Sequence, residues 1–425
     1  MTNQTNQQTT DQTKQQTTRA TDETVTDFRI AIPDADLDDL RARLAAARLP
    51  QQIPGTGWER GVPLDHLRAL TERWAALDWR AIEARLNEVP QVTTVVDGQR
   101  LHAYHVRSPE PDAMPLLLIH GYPSDPVEFL SLVGPLTDPR AHGGDPADAF
   151  HVVLPSLPGF GFSAPVTEPG WDLARSARAV AELMRRLGYE RYGAHGADMG
   201  SGLSGLLGMV DAGHLAGVHV ASDVEGAIAM SDGYVPVDTS RLTDAQRERY
   251  DAVRARLAEA KGYLAIQSTK PQTLGYALTD SPVGQLAWIA EKFEAWTDQQ
   301  NLRPGAAYDV DLLLTIVSLY WFTRSGASAA HAIYENSHPL PGAASPWESG
   351  EDGEGGGDNP WEAELAFPTG WAVFGGLDDV VPALFDADGS IGHWSQFREG
   401  GHFPAIETPD LLVGDLRTFF RGVRG

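Results

Sequence analysis

An alternation of short apolar runs with helical segments constrains the fold of this chain more than any other feature. The runs PLLLIH, FHVVLP and RYGAHG begin at residues 115, 150 and 191, and helical patterns lie at 171–188 and 199–210. Strands separated by helices of this length are typical of a mainly parallel sheet with helices on both faces. The same alternation resumes after residue 367, so the sequence predicts an α/β fold.

The composition of the surrounding segments divides the chain further. The first 25 residues are a Gln, Thr and Asn tract without an apolar core, which predicts a disordered leader. Asp97-Gly98 joins two alternating runs and predicts a hairpin. An acidic, glycine-rich run at 348–358 predicts a flexible surface loop. The predicted regions are the leader at 1–25, a helical meander at 26–90, two parts of an α/β core at 91–224 and 368–425, and a helical lid at 225–367 that contains the loop.

The composition also limits the partners of the chain. Its 425 residues have a formal net charge of -25 and include no cysteine. The charge disfavours nucleic acids and anionic membranes as partners, and the lack of cysteine excludes disulfides and thiol chemistry. The sequence has neither a signal-peptide pattern nor the run of about 18 apolar residues that a membrane span needs. We therefore expect a cytoplasmic protein with a small-molecule partner, no nucleic-acid partner and no membrane span.

The stretch YGAHGADMGSG at 192–202 has the frame Gly-x-Asp-x-Gly, centred on Asp198. In enzymes that use this frame, a sharp turn from strand to helix exposes a nucleophile at the centre. An aspartate at the start of a helix is, by itself, more often an N-cap. The Gly196 and Gly200 frame, together with motifs on both sides of it, favours Asp198 as a nucleophile.

A sheet of this order, a nucleophile turn, a lid and a late histidine together indicate the α/β-hydrolase fold, in which the nucleophile precedes the acid and the histidine. His402, in REGGHFPAIETP, is the histidine in the correct chain order. The acid is expected in GGLDDVVP, where Asp378 is favoured and Asp379 stays open. The backbone N–H groups of Tyr122, in HGYP, and Met199 are expected to form an oxyanion hole.

Several separate motifs resemble those of the epoxide hydrolases of the microsomal type. They are HGYP, LPGFGFS, GADMGS, KGYLAIQSTKPQTLGYALTDSPVG, IYEN and GGHF, and the resemblance extends over roughly residues 26–423. It implies that lid tyrosines Tyr263 and Tyr334 face an epoxide oxygen. It also implies that Asp198 forms an ester with a hydrophobic or aromatic epoxide, and that His402 activates water to release a vicinal diol. No metal or organic cofactor is implied.

Two departures and two alternative functions accompany this resemblance. Met199 stands where the family often has tryptophan, and Leu377 stands where it commonly has the acid. A haloalkane dehalogenase would share the aspartate nucleophile, and a non-catalytic ligand-binding protein could share the fold. Detoxification and natural-product biosynthesis both stay open as roles, and so does a homodimer as the assembly.

Overall fold

A computed structural model of the chain describes residues 24–230, 237–302, 308–338 and 367–424. Its strands form one sheet in the order β1-β2-β3-β5-β4-β6-β7-β8-β9. The first three pair antiparallel, β3 pairs antiparallel with β5, and all pairs from β5 to β9 are parallel. This arrangement confirms the predicted α/β fold. The strands are β1 (Thr26–Phe28), β2 (Gln91–Val96), β3 (Gln99–Val106), β4 (Met114–Ile119), β5 (Phe150–Ser156), β6 (Tyr192–Ala197), β7 (Leu215–Asp223), β8 (Thr369–Phe374) and β9 (His393–Gln396).

The helices lie before the sheet, between its strands and in a block between β7 and β8. They are α1 (Asp34–Ala45), α2 (Leu64–Ala75), α3 (Trp79–Leu86), α4 (Leu130–Thr137), α5 (Leu173–Arg186), α6 (Met199–Val210), α7 (Val224–Met230), α8 (Asp244–Ala260), α9 (Gly262–Gln267), α10 (Pro271–Asp280), α11 (Pro282–Trp296), α12 (Val310–Thr323), α13 (Ser325–Ser337), α14 (Val380–Phe385), α15 (Pro404–Glu407) and α16 (Pro409–Arg421).

The predicted hairpin is confirmed, but the N-terminal helices differ from the expectation. Asp97 and Gly98 have φ values of 49° and 76°, as a tight turn between β2 and β3 requires. The single helix expected over residues 63–90 is instead two, α2 and α3. It divides because the Asp78 side chain accepts a hydrogen bond from the Ala81 N–H and starts a new helix. Strand β1, at the edge of the sheet, was not predicted.

The N-terminal helices brace the helical block that follows β7. Helices α1 and α2 both pack against α11. The Trp74 indole N–H donates to Ser318 Oγ on α12 over 2.8 Å, in a buried position. Arg73 and Asp311 form an ion pair on the surface beside this contact. The N-terminal segment therefore holds lid helices in place from outside the sheet.

Two predicted segments lie outside the described residues: the leader, apart from its last two residues, and the acidic, glycine-rich run at 348–358. Across the four described ranges, every helix is too short or too polar to cross a membrane.

Candidate active site

Asp198 lies at the turn from β6 into α6, near the carboxyl ends of the parallel strands. Its φ of 54° and ψ of -127° are rarely adopted by residues other than glycine. The flanking glycines are required by close packing: a Cβ on Gly196 would lie 2.2 Å from the Gly200 carbonyl, and one on Gly200 would lie 2.0 Å from Ile119 O. Among the described residues, the Asp198 side chain accepts no capping hydrogen bond from the N–H groups of α6 that follow Met199. The structure therefore favours the interpretation of Asp198 as a nucleophile on a strained turn over its interpretation as a helix cap.

One oxygen of this carboxylate faces the predicted oxyanion donors. The Tyr122 N–H donates to Asp198 Oδ1 over 2.8 Å, and the Met199 N–H, at the first position of α6, helps to lower the pKa of the carboxylate. Gly121 is needed at this approach, since a Cβ there would lie 2.4 Å from Asp198 Oδ1. Burial alone would raise the pKa of Asp198, but His402 and these two N–H groups hold it below its ordinary value. Asp198 is therefore ionised, as a nucleophile must be.

The other oxygen faces His402, in the loop before α15. His402 Nε2 lies 3.3 Å from Asp198 Oδ2, and Nδ1 lies 3.2 Å from Oδ1 of Asp223. Asp223 is the last residue of β7, and its second oxygen accepts the Gly226 N–H over 3.2 Å. Burial alone would lower the pKa of His402, but the two carboxylates raise it to about 10. His402 is therefore an imidazolium between two carboxylates.

The expectation that Asp378 or Asp379 orients the histidine is wrong for this structure. The buried Asp378 carboxylate accepts the Val380 N–H over 2.6 Å and forms an ion pair with Arg249 of α8, with 2.5 Å between Nε and Oδ2. Asp379 is exposed and accepts a hydrogen bond from Gln246 of the same helix. Among the described hydrogen bonds, neither acid contacts His402. Both acids attach lid helix α8 to the core.

The sequence carried a signal for Asp223, although no local motif marks this residue. Parallel strands end at the same edge of a sheet, so an acid that ends β7 can lie beside the nucleophile that follows β6. Asp223 is in register with Phe374, the last residue of β8. The acid therefore comes from the strand next to the nucleophile strand, one strand earlier than expected.

Above Asp198 opens a cavity of about 830 Å³ between the sheet and the lid. Tyr122, Asp198, Met199, Asp223 and His402 all contribute to its walls. The remaining walls are mostly apolar and include Leu173, Val220, Val224, Met230, Val253, Leu257, Leu264, Trp296, Ile333, Trp371 and Phe385. A cavity of this size and polarity suits an apolar small molecule.

Of the two predicted lid tyrosines, the structure brings one to the cavity. Tyr263 lines it, with its ring parallel to that of Tyr122 at 6.2 Å between centroids. Tyr334 stacks on His338 at 4.2 Å and is not among the described residues that line the cavity. It lies on α13, whose Ile333 lines the cavity in its place.

Lys292 is a further charged residue near the site that sequence reasoning did not find. It is 4% exposed and forms an ion pair with Glu291. Its ammonium lies 4.7 Å from the centroid of the Tyr263 ring, and the rings of Trp288 and Trp296 are also within 6 Å of it. A lone lysine on an apolar helix gives little indication of this environment.

A strained aspartate with two backbone donors, a histidine and a second acid define a hydrolase of the α/β-hydrolase fold. Residues 25–129 match the family model described as the N terminus of epoxide hydrolases, and residues 114–319 match the model of the alpha/beta hydrolase fold.

Whole-length relatives agree with these matches. The chain is 40% identical over 403 residues to a Stigmatella aurantiaca protein named as an epoxide hydrolase, covering 94% of this chain and 86% of the relative. It is 31% identical to epoxide hydrolase 1 of Sus scrofa, covering 94% and 89%. The solved structure of Aspergillus niger epoxide hydrolase superposes with a TM-score of 0.75 at 29% identity, covering 94% and 97%. The chain belongs to the epoxide hydrolase family, whose members are hydrolases that act on ether bonds.

Proposed function

We propose that this enzyme converts a hydrophobic or aromatic epoxide to a vicinal diol through a covalent ester on Asp198. The observation that supports this most is the double engagement of one carboxylate, by the Tyr122 N–H at Oδ1 and by His402 at Oδ2. A carboxylate can open the epoxide ring at carbon, and the resulting ester has a carbonyl that water can attack. No metal or organic cofactor enters either step.

Ring opening needs a proton for the departing oxygen. Asp198 forms a bond to one epoxide carbon while the carbon–oxygen bond breaks and Tyr263 donates its phenolic proton to that oxygen. The Lys292 ammonium, 4.7 Å from the Tyr263 ring centroid, stabilises the negative charge that develops on the tyrosine. Tyr334 has no part in the proposal, because it does not line the described cavity.

Ester formation changes the state of His402. The pKa of His402 is raised largely by Asp198 and Asp223, and the ester removes the negative charge of Asp198. The imidazolium then returns its proton to the Tyr263 oxygen and becomes a neutral imidazole. The first half-reaction therefore converts His402 into a base for the second.

Ester hydrolysis restores the resting charges. His402 accepts a proton from water as the water oxygen bonds to the acyl carbon of Asp198, and the oxyanion forms against the Tyr122 and Met199 N–H groups. Collapse breaks the bond to the diol oxygen, which takes the proton from His402. The carboxylic acid of Asp198 then protonates His402, so the cycle consumes one epoxide and one water and releases one diol.

Isotopic labelling tests the covalent route. In a single turnover in heavy-oxygen water, with enzyme in excess over styrene oxide, the diol should contain no solvent oxygen and Asp198 should gain one label. A labelled first diol would show that water attacks the epoxide directly and would contradict the ester. Halide release from haloalkanes without diol formation from any epoxide would instead favour a dehalogenase.

A further inference from the structure

A second, much smaller cavity lies against the nucleophile and is distinct from the substrate cavity. It measures about 10 Å³, and Glu128, His195, Asp198 and His402 contribute its polar lining. The rest of its wall includes Phe129, Phe403 and Ala405. None of the described lid residues lines it, so it belongs to the core alone. Its volume is roughly that needed for one water molecule. We name it the water chamber.

Three buried residues fix the protonation of the chamber wall. His195 Nδ1 lies 2.9 Å from His219 Nδ1, and His219 Nε2 lies 2.9 Å from Asp415 Oδ2. Burial alone would raise the pKa of Asp415, but hydrogen bonds from His219 and its other partners lower it to about 2. Burial lowers the pKa of both histidines. The chain of contacts therefore consists of two neutral imidazoles and one carboxylate.

Only one arrangement of protons satisfies these contacts. The Asp415 carboxylate accepts, so His219 must donate from Nε2 and keep a lone pair on Nδ1. His195 must then donate from Nδ1, which leaves a lone pair on its Nε2. This Nε2 atom is buried and has no hydrogen-bond partner among the described residues. We call His195, His219 and Asp415 the relay. The relay leaves Nε2 of His195 as an unused acceptor at the chamber wall.

Glu128 supplies the complementary group. It is 5% exposed, and burial raises its pKa to about 8, so at neutral pH it is mostly a carboxylic acid. A neutral carboxyl can both donate and accept a hydrogen bond. A buried water requires two to four polar partners, and the chamber offers His195, Glu128, Asp198 and His402.

We propose that the chamber holds the water that hydrolyses the Asp198 ester, positioned by His195 and Glu128 beside His402. This inference rests on the proposed covalent route. The water donates one hydrogen to His195 Nε2 and the other toward His402, and its oxygen forms the bond to the acyl carbon as His402 removes the second proton. His195 keeps its protonation state throughout, so it and Glu128 are positioning residues. The relay to Asp415 holds His195 in the tautomer that accepts.

Two substitutions of His195 distinguish its contact with the chamber water from its contact with His219 in the relay. His195→Asn keeps a donor near the Nδ1 position for His219 but removes the acceptor at Nε2. His195→Gln can place its amide oxygen near the Nε2 position and so restore the acceptor. We expect His195→Asn to slow ester hydrolysis about tenfold, the loss expected for one hydrogen bond. Ester formation should stay within about twofold of wild type, and His195→Gln should hydrolyse faster than His195→Asn.

Ala405→Val gives a second variant that leaves every polar group in place. Its added methyl groups would fill the chamber and exclude the water, so the ester should again accumulate. Rapid quenching followed by mass spectrometry of the Asp198 peptide measures ester formation and decay, and thermal unfolding identifies variants that fold. Decay at the wild-type rate in folded His195→Asn and Ala405→Val would overturn the chamber proposal.

The same measurements distinguish this failure from failure of the proposed function. His402→Gln should trap the ester whether or not the chamber holds the water. If His402→Gln and wild type both form no ester, the covalent route itself is wrong. If they form it and the chamber variants hydrolyse normally, only the chamber proposal falls.

Discussion

Asp223 Oδ1 lies 3.2 Å from His402 Nδ1, which makes the last residue of β7 the acid that orients the histidine. The carboxylate is held in turn by the Gly226 N–H at the start of the lid. Helix α7, which leads into the lid, begins directly after Asp223. The geometry of His402 is therefore coupled to the point where the lid leaves the core.

We expect Asp223→Asn to reduce kcat strongly, by about 10²- to 10⁴-fold. The amide keeps the shape of the side chain but cannot hold the positive charge of His402, and it favours the wrong tautomer. Ester hydrolysis should fall more than ester formation, because only the second step uses His402 as a base. Single-turnover rates of the two steps provide the measurement.

Asp378→Asn is the matched control for this substitution. Asp378 pairs with Arg249 and accepts the N–H of Val380, the first residue of α14, so its loss should lower the melting temperature while ester hydrolysis continues at close to the wild-type rate. Loss of hydrolysis in Asp378→Asn, with activity retained in Asp223→Asn, would show that the catalytic acid is the one predicted from the sequence motif.

The positions set by local sequence were predictable, whereas the local motif after β8 selected the wrong acid and only the edge of the sheet pointed to Asp223. The glycine frame of Asp198 and the order of strands and helices follow from steric limits and hydrophobic period, which act over a few residues. His402 lies in a glycine-rich loop near the end of the chain, where chain order alone selects it. The acid depends on which of two neighbouring strands ends closer to the histidine, a distance that arises only when β7 and β8 pair.

Tertiary packing also explains the other differences. Tyr263 and Tyr334 lie in equally specific lid motifs, but the rotation of α13 decides which of its side chains reaches the cavity. It presents Ile333 and Asn336 there instead of Tyr334. Lys292 has a partial local pattern, since Trp288 and Trp296 lie four residues to either side of it on α11, but its nearest ring, that of Tyr263, comes from α9.

The charge of Asp198 should control the protonation of His402. The pKa of His402 is about 10 in the resting enzyme because of Asp198 and Asp223. Asp198→Asn removes one of these charges, so the pKa of His402 should fall toward the ordinary value near 6.5. Nitrogen-15 chemical shifts of labelled histidine measure this directly. An unchanged pKa in Asp198→Asn would remove the basis for a histidine that becomes a base only after ester formation.

The raised pKa of His402 also predicts how the stability of the protein depends on pH. A raised pKa in the folded protein stabilises it fully below the unfolded pKa, near 6.5, and this contribution disappears as the pH rises through about 10. The melting temperature of wild type should therefore fall more steeply between these pH values than that of Asp198→Asn. Thermal unfolding at several pH values tests the sign. Parallel curves for the two proteins would contradict it.

Tyr263→Phe and Tyr334→Phe form a matched pair on the lid. Tyr263 lines the cavity, so its loss should slow ester formation by about 10²-fold or more, as expected for removal of a general acid. Tyr334 stacks on His338 away from the described cavity wall, and its loss should change ester formation by less than about threefold. Pre-steady-state alkylation with excess enzyme measures both rates. If both variants slow ester formation equally, both tyrosines take part in ring opening, as the sequence motifs imply.

Lys292→Met tests whether a buried cation assists Tyr263. Methionine keeps most of the volume and apolar contact of the side chain but removes the charge 4.7 Å from the tyrosine ring centroid. Charge that develops on the tyrosine oxygen would lose a stabilising interaction of about 1–2 kcal/mol, so ester formation should slow by roughly tenfold. Lys292→Arg keeps a cation over the same rings and should recover most of the rate. Ester hydrolysis should be unaffected in both, because Tyr263 is neutral again when water attacks. If Lys292→Arg slows ester formation as much as Lys292→Met does, the lysine acts only through packing.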